Sequence, residues 1–272
     1  MKRFLLILSA LVCCQLAFSQ GSDCFSTKGE KPFRKGESLT FSLMYKWGAV
    51  NTEVATASLD LTETTLDAEP VFHTRFGVKS APFFDIFFKM REDFQGWFSS
   101  STLEPRKFVR DTYEGGYTAT NLYLYDWKSG VIHADIQFNG QPRQVMDIPL
   151  HGCVQDLPSL VYNLRTLDME HFQKGEKKPL KFAIDDTVFD IRITYKGKET
   201  LKVRKMGKML THHFSCSVVS GAMFEGDTEL QVWFSADDNQ IPVAVMAPLR
   251  WGAVWAWLRS YKGLKSEFSA RQ

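Results

Sequence analysis

The sequence predicts a mainly β protein: an antiparallel sheet that curls on itself as a β-roll or partly open barrel, braced by one short amphipathic helix. Three observations carry that prediction. Long stretches alternate apolar with polar residues at a period of two. Turn chemistry recurs between them, at Gly115-Gly116, Lys128-Ser-Gly130 and Asn139-Gly140. A single segment, within 153–168, instead spaces Leu157, Leu160, Val161, Leu164 and Leu167 at the interval that draws a stripe down a helix.

Met1 to Ser19 has a basic start at Lys2 and Arg3, an apolar run from Phe4 to Leu16, and small residues at Ala17 and Ser19. This is the layout of a cleaved secretory signal, and the run is too short to remain as a membrane span. The chain is therefore expected to be exported, to the periplasm or cell envelope or beyond the cell, with no transmembrane segment in its mature form. Val12 and Cys13 precede the two cysteines of this segment where lipid attachment calls for a small residue, so a lipoprotein is the lesser reading. Without Lys2 and Arg3 the formal net charge of +2 falls near zero. Nucleic acid is not an expected partner, since no basic surplus is left to hold phosphates. A polar leader is expected over 20–35 and one β-rich domain over 36–268, with two sheet halves meeting near 150–175. Cys24, Cys153 and Cys216 permit one disulfide at most, and spacing does not say which pair forms it.

Within the domain, Leu39, Phe41, Leu43, Tyr45 and Trp47 share one face of a first strand, and Ala55, Ala57, Leu59 and Leu61 share one face of a second. Val71 to Lys79 is a third. Ala81 to Met90 breaks the alternation and is dense in phenylalanine, which fits a short helix or an irregular crossing over a barrel mouth. Further strands are expected near Arg106 to Asp111, Tyr117 to Trp127, Val131 to Phe138 and Gln144 to Ile148. The helix follows over 156–168, with Asp156 as its N-cap and Pro158 where a missing donor costs little. After it, Phe189 to Tyr195 alternates, Lys196-Gly197 reads as a turn, and Leu201 and Val203 resume the pattern. Leu210, His212, Phe214, Cys216 and Val218 lie along one face of the next strand. Glu229 to Ser235 and Ile241 to Met246 flank a turn at Ala236-Asp-Asp-Asn239, and Trp251 to Tyr261 is the final element.

The sequence lacks the zinc-protease helix motif, the phosphate-cradling glycine loop, the dinucleotide fingerprint and the serine nucleophile elbow. No catalytic residue, metal or cofactor is expected, and the chain is not expected to be an enzyme. His212 and His213 are adjacent on a strand and point to opposite faces, which disfavours a shared metal. A hydrolase remains as an alternative, and it requires His133, His151 or His171 in a cleft with a carboxylate and a nucleophile. Aromatic residues supply the candidate binding surface. Phe83, Phe84, Phe87 and Phe88 read either as core or as the apolar lip of a ligand cavity. Trp255 and Trp257 share a strand face, and with Trp251 they read as core or as a surface for a lipid or glycan. On the helix, Tyr162 and Arg165 are the polar contacts of the surface it leaves open, and Arg165 is placed to bridge to Asp237 or Asp238.

Four stretches together resemble the domain-of-unknown-function family 3108 of exported bacterial proteins: Gly36-Glu-Ser-Leu-Thr-Phe41, Leu103-Glu-Pro105, Asp156 to Arg165, and Val232-Trp-Phe-Ser-Ala-Asp-Asp-Asn-Gln-Ile-Pro-Val243. The resemblance spans nearly all of the mature chain. It implies an envelope-side location and a curled β fold, and it brings no catalytic residues. The expected function is a non-catalytic binding or assembly role for a lipid-like or glycan envelope component. The alternative is a structural module that recruits an envelope protein partner without a small ligand.

Overall fold

The computed structural model describes residues 30–218 and 229–272. The signal segment, Cys24 and most of the polar leader lie outside the described residues. In the first half of the domain the period-two pattern forms an unbroken meander: β1 (Ser38–Trp47), β2 (Val50–Leu66), β3 (Glu69–Ser80), β4 (Met90–Ser99), β5 (Pro105–Glu114), β6 (Tyr117–Asp126), β7 (Val131–Phe138) and β8 (Gln144–Pro149). The chain then crosses through β9 (Val154–Gln155) and α1 (Leu157–Arg165). It meanders back through β10 (Lys177–Ile184), β11 (Thr187–Val203), β12 (Gly207–Val218), β13 (Leu230–Ser235), β14 (Pro242–Pro248) and β15 (Ala253–Lys262).

Together these strands make one sheet in the order β8-β7-β6-β5-β4-β3-β2-β1-β15-β14-β13-β12-β11-β10-β9. Among the described residues every neighbouring pair is antiparallel except β9 with β10. The central seam, β1 against β15, joins the two halves, with Leu43 opposite Ala256 and Met44 opposite Trp255. This is the curled antiparallel sheet that the alternation predicts.

Side chains draw the sheet's distant halves together. Asp185, in the β10–β11 turn, accepts from Arg110 of β5 at 2.6 Å and from Asn121 of β6 at 3.1 Å. Ala183 and Val188 pack into the cluster built by Phe108, Tyr123, Ile132 and Ile148. Inside the curl α1 lies against β3, β4 and β10. Gly96 makes room for it on β4: a methyl there would sit 2.9 Å from an Asp156 carboxylate oxygen and 3.2 Å from the Ser159 hydroxyl.

Several boundaries differ from the sequence expectation. Pro32 and Phe33, in the expected polar leader, are buried, and Phe33 packs edge-on against Phe72 and Tyr162. Lys196-Gly197 is no turn; the register of β11 against β12 shifts between Tyr195 and Gly197, and the strand continues to Val203. A bulge and a turn both use glycine at positive φ, here +119°. The β4 and β10 strands carry no clean alternation in the sequence. Between β3 and β4, the phenylalanine-rich stretch crosses as a loop with one short 3₁₀ turn, Phe84–Ile86.

Candidate functional site

The helix starts at the predicted cap, ends at Arg165 rather than at 168 so that Leu167 lies just beyond it, and docks in the opposite sense. Asp156 has extended backbone and accepts from the Ser159 amide at 2.8 Å, which caps the first turn. Its carboxyl is buried, and burial pushes it up to about 7. Pro158, Ser159, Tyr162, Asn163 and Arg165 are the buried side of α1 along with Leu160. Leu157, Val161, Leu164 and Leu167 are half-buried. The polar side therefore faces β3, β4 and the Glu37 segment, and the leucine stripe faces the other way, packed in part against the apolar clusters and in part lining an open space.

Directional bonds hold that polar side. Asn163 donates to Leu103 O at 3.1 Å and to Gln155 Oε1 at 2.7 Å. Arg165 and Glu37 are both 0% exposed and pair, Nη2 to Oε2 at 2.8 Å. The same guanidinium donates to Asn239 O at 3.0 Å and Pro32 O at 3.2 Å, and it lies over the rings of Phe33 and Tyr162. The partner of Arg165 is thus Glu37, not Asp237 or Asp238. The turn carrying those aspartates offers the Asn239 carbonyl instead, while Asp237 caps the turn's own amides.

The leucine stripe fronts a cavity of about 320 Å³. All five stripe residues line it. The facing wall comes from Phe41, Leu43, Phe76, Phe214, Val232 and Val245, with further aliphatic and aromatic side chains of β10 to β15. Among the described residues no charged, amide or hydroxyl side chain contributes. Ala57 and Ala256 lie on this wall, and their small side chains leave the space open. Cys216 is a free thiol on the same wall, and burial pushes it up to about 11. Cys153 is disulfide-bonded. Of the lining, Phe234, Pro242, Leu160, Met169, Leu180, Ile191 and Ile193 are buried, and Leu43, Leu230, Val245 and Ala256 are half-buried.

Beside the apolar cluster under β4 to β6 lies a polar network. Thr112 donates to Glu92 at 2.5 Å and accepts from Arg110 at 2.8 Å, and Arg110 pairs with Asp185. Burial pushes the Glu92 carboxyl up to about 7. A broader groove of about 590 Å³ crosses the sheet's other face over β1 to β5. Its two arginines pair locally, Arg75 with Asp93 at 2.7 Å and Arg91 with Asp85 at 2.5 Å.

None of the nine residues that the sequence singles out lines the apolar cavity. Phe83, Phe87 and Phe88 are exposed and Phe84 is half-buried, all on the β3–β4 loop; Trp251 is exposed in the β14–β15 turn. Trp255 and Trp257 stack in parallel at 4.7 Å on the face opposite the cavity, with Trp233 and His213 continuing the stack. The β11–β12 hairpin folds over that face, where Arg204 reaches Glu53 at 3.5 Å and Met44 Sδ at 3.0 Å. Tyr162 and Arg165 lie behind the helix, fully buried, so neither is a surface contact. Of the histidines required by a scattered hydrolase site, His133 and His171 each meet an aspartate at 2.7 Å on exposed surface, and His151 is exposed. Among the described residues no three His, Cys, Asp or Glu side chains converge as a metal site, and no helix is long and apolar enough to cross a membrane.

Sequence reasoning missed the lining because it takes an apolar stripe for a packing face. The signal present was the pair of alanine-bearing strand faces, where small residues mark either close packing or space.

Comparison with known proteins agrees with this architecture. A β-barrel-like protein of domain-of-unknown-function family 1849 from Brucella abortus has the same fold at a TM-score of 0.54 and 11% identity, covering 86% of this chain and 100% of its own. Two more remote structures come from Bacteroides fragilis, a protein described as exported with a YmcC-like fold, and from Parabacteroides distasonis, a protein described as a lipoprotein. Each is 8% identical over 85% of this chain and 97% of its own, with TM-scores of 0.38 and 0.36. No curated protein matches the chain. The model of the family described as "Protein of unknown function (DUF3108)" matches residues 40–257, and the chain belongs to that family.

Proposed function

We propose that the protein is a non-catalytic binding protein of the cell envelope that holds one acyl-chain-like ligand in the cavity between α1 and the sheet. The observation that carries this reading is the inverted helix, with its polar side buried and its leucine stripe lining an open apolar space. Water in such a space lacks the two to four polar partners that hold it, so an apolar molecule displaces it readily. Each buried methylene contributes about 0.8 kcal/mol, and a chain burying roughly eight gains about 6 kcal/mol before the cost of association. A volume of about 320 Å³ suits one small ligand or chain segment. A glycan fits poorly, because its hydroxyls would be buried without partners. The basic start and apolar run of residues 1–19 support export.

The test pairs native mass spectrometry of protein purified from its own envelope with titration of a fluorescent fatty acid. We expect one bound lipid-like mass and saturable binding at one site. Val161→Trp fills the cavity from a half-buried position and lowers affinity at least about tenfold with far-ultraviolet circular dichroism unchanged. Absence of saturable binding, or binding indifferent to Val161→Trp, overturns the reading.

A further inference from the structure

Four turns that follow one another along the sheet lie at the same end of the curl: β14–β15, β1–β2, β3–β4 and β5–β6. Strand register fixes this. Trp47 pairs with Val50, Lys46 with Ala253, Ala55 with Ser80, and Met90 with Glu114. Most of the large apolar side chains exposed among the described residues sit here. Phe87 is 75% exposed, Phe83 65%, Trp251 62% and Trp47 53%, with Ile86, Phe88, Val50 and Leu249 beside them. These side chains meet one another in two groups and still remain exposed: Trp47 and Trp251 edge-on at 6.4 Å, and Phe83 edge-on with Phe84 at 5.4 Å and Phe87 at 5.8 Å, while Phe88 touches Gly115. A folded protein rarely leaves so much aromatic surface open at one end unless something covers it.

The unpaired charges of this rim are mostly positive. Among the described residues Lys46, Lys79, Lys89 and Arg250 are exposed and make no ion pair, whereas Asp85 is consumed by Arg91 and Glu53 by Arg204 and Arg259, leaving Glu114 as the opposing carboxylate. Lys89 and Arg250 instead lie over the rings of Tyr113 and Trp251. Aromatic rings interleaved with free cations match the two layers of an anionic lipid interface, acyl boundary and headgroup. The Arg165 network lies at the opposite end of the sheet, beside Glu37 and Asn239.

We infer that this rim docks the protein on an anionic phospholipid bilayer, with Trp47, Phe83, Phe87, Phe88 and Trp251 entering the interface and the four free cations lying among the headgroups. The inference does not require the cavity to hold a ligand.

Mature protein is sedimented with phosphatidylcholine vesicles made with and without phosphatidylglycerol, at low and high salt. Binding is expected with phosphatidylglycerol and is weakened by salt, with a blue shift of tryptophan emission. Phe87→Ser and Trp251→Ser each lower partitioning about tenfold, and Lys46→Glu and Lys89→Glu each about fivefold. All four positions are exposed, so far-ultraviolet circular dichroism and fatty-acid binding stay unchanged. Conversely, Val161→Trp keeps vesicle binding, which separates failure here from failure of the cavity reading. No vesicle binding, or binding that ignores the rim substitutions, overturns the inference. So does a photo-crosslinker at position 87 that captures an envelope protein and no lipid in cells.

Discussion

Arg165→Met removes the guanidinium that joins four segments: the end of α1, the chain at Pro32, the start of β1 at Glu37 and the β13–β14 turn at Asn239. Methionine keeps much of the apolar stem and all of the helix propensity. What remains is Glu37, buried, charged and without its partner, and breaking a buried pair in this way costs about 3–5 kcal/mol. Two carbonyls also lose a charge-assisted donor, which adds about 1–2 kcal/mol. Against a typical stability of about 5–15 kcal/mol this brings the chain close to unfolding. Equilibrium unfolding in urea, followed through the seven tryptophans, reads the effect as a lower midpoint at unchanged slope. The double variant Arg165→Met/Glu37→Gln removes the stranded charge and recovers about 2 kcal/mol or more of the loss. A single variant that costs less than about 1 kcal/mol, or a double variant no more stable than the single, refutes the claim that this pair fastens the helix.

Two further outcomes follow from buried titrating groups. Asp156, raised from 3.8 to about 7 by burial, holds its proton when folded at pH values where the unfolded chain has lost it. Its contribution is complete below about pH 4 and is lost as pH rises through 7, on the order of 4 kcal/mol in all. Asp156→Asn should flatten the fall in stability between pH 4 and 7 in urea titrations, and an unchanged slope counts against it. Cys216, at about 11, should react with a thiol reagent at pH 8 at least about a hundredfold more slowly than an open cysteine. Saturating fatty acid should slow it again; a rate indifferent to fatty acid removes Cys216 from the ligand's path.

The helix was legible in its cap and stripe because capping and periodicity are local. Which side of it would be buried was not, since that depends on partners 60 to 133 residues away, Leu103, Glu37, Asn239 and Pro32. The β4 strand escaped notice because its inward row runs Glu92, Phe94, Gly96, Phe98. A carboxyl serves the polar network, and a glycine yields to the helix. Alternation does reveal that Trp255 and Trp257 share a face, but not which face of a curled sheet is concave. Hydrophobicity alone would turn the tryptophans inward and Ala256 outward. The fold does the reverse, because the β11–β12 hairpin covers the outer face and the inner one is left wide. The phenylalanines of the β3–β4 loop read as core or as the lip of a ligand cavity; three of them are exposed and none lines the apolar cavity, and Trp47 and Val50 at the same end were hidden in a strand pattern that reads as core.

A helix that brackets an apolar cavity can be held in two ways. If its leucines fastened it to the sheet, ligand and helix would compete for the same surface, and every occupant would loosen the fold. Here the fastening is polar and directional. Asn163 and Arg165 satisfy backbone carbonyls and one buried carboxylate, and Gly96 lets the cap seat closely on β4. Buried polar groups are costly unless fully paired, but once paired they fix position without using apolar area. The leucine stripe is thereby shared between packing on the sheet and lining the cavity. The same sequence that builds an ordinary amphipathic helix thus presents its apolar face as a wall of the cavity, and the buried Arg165–Glu37 pair holds that wall through groups that do not line the cavity.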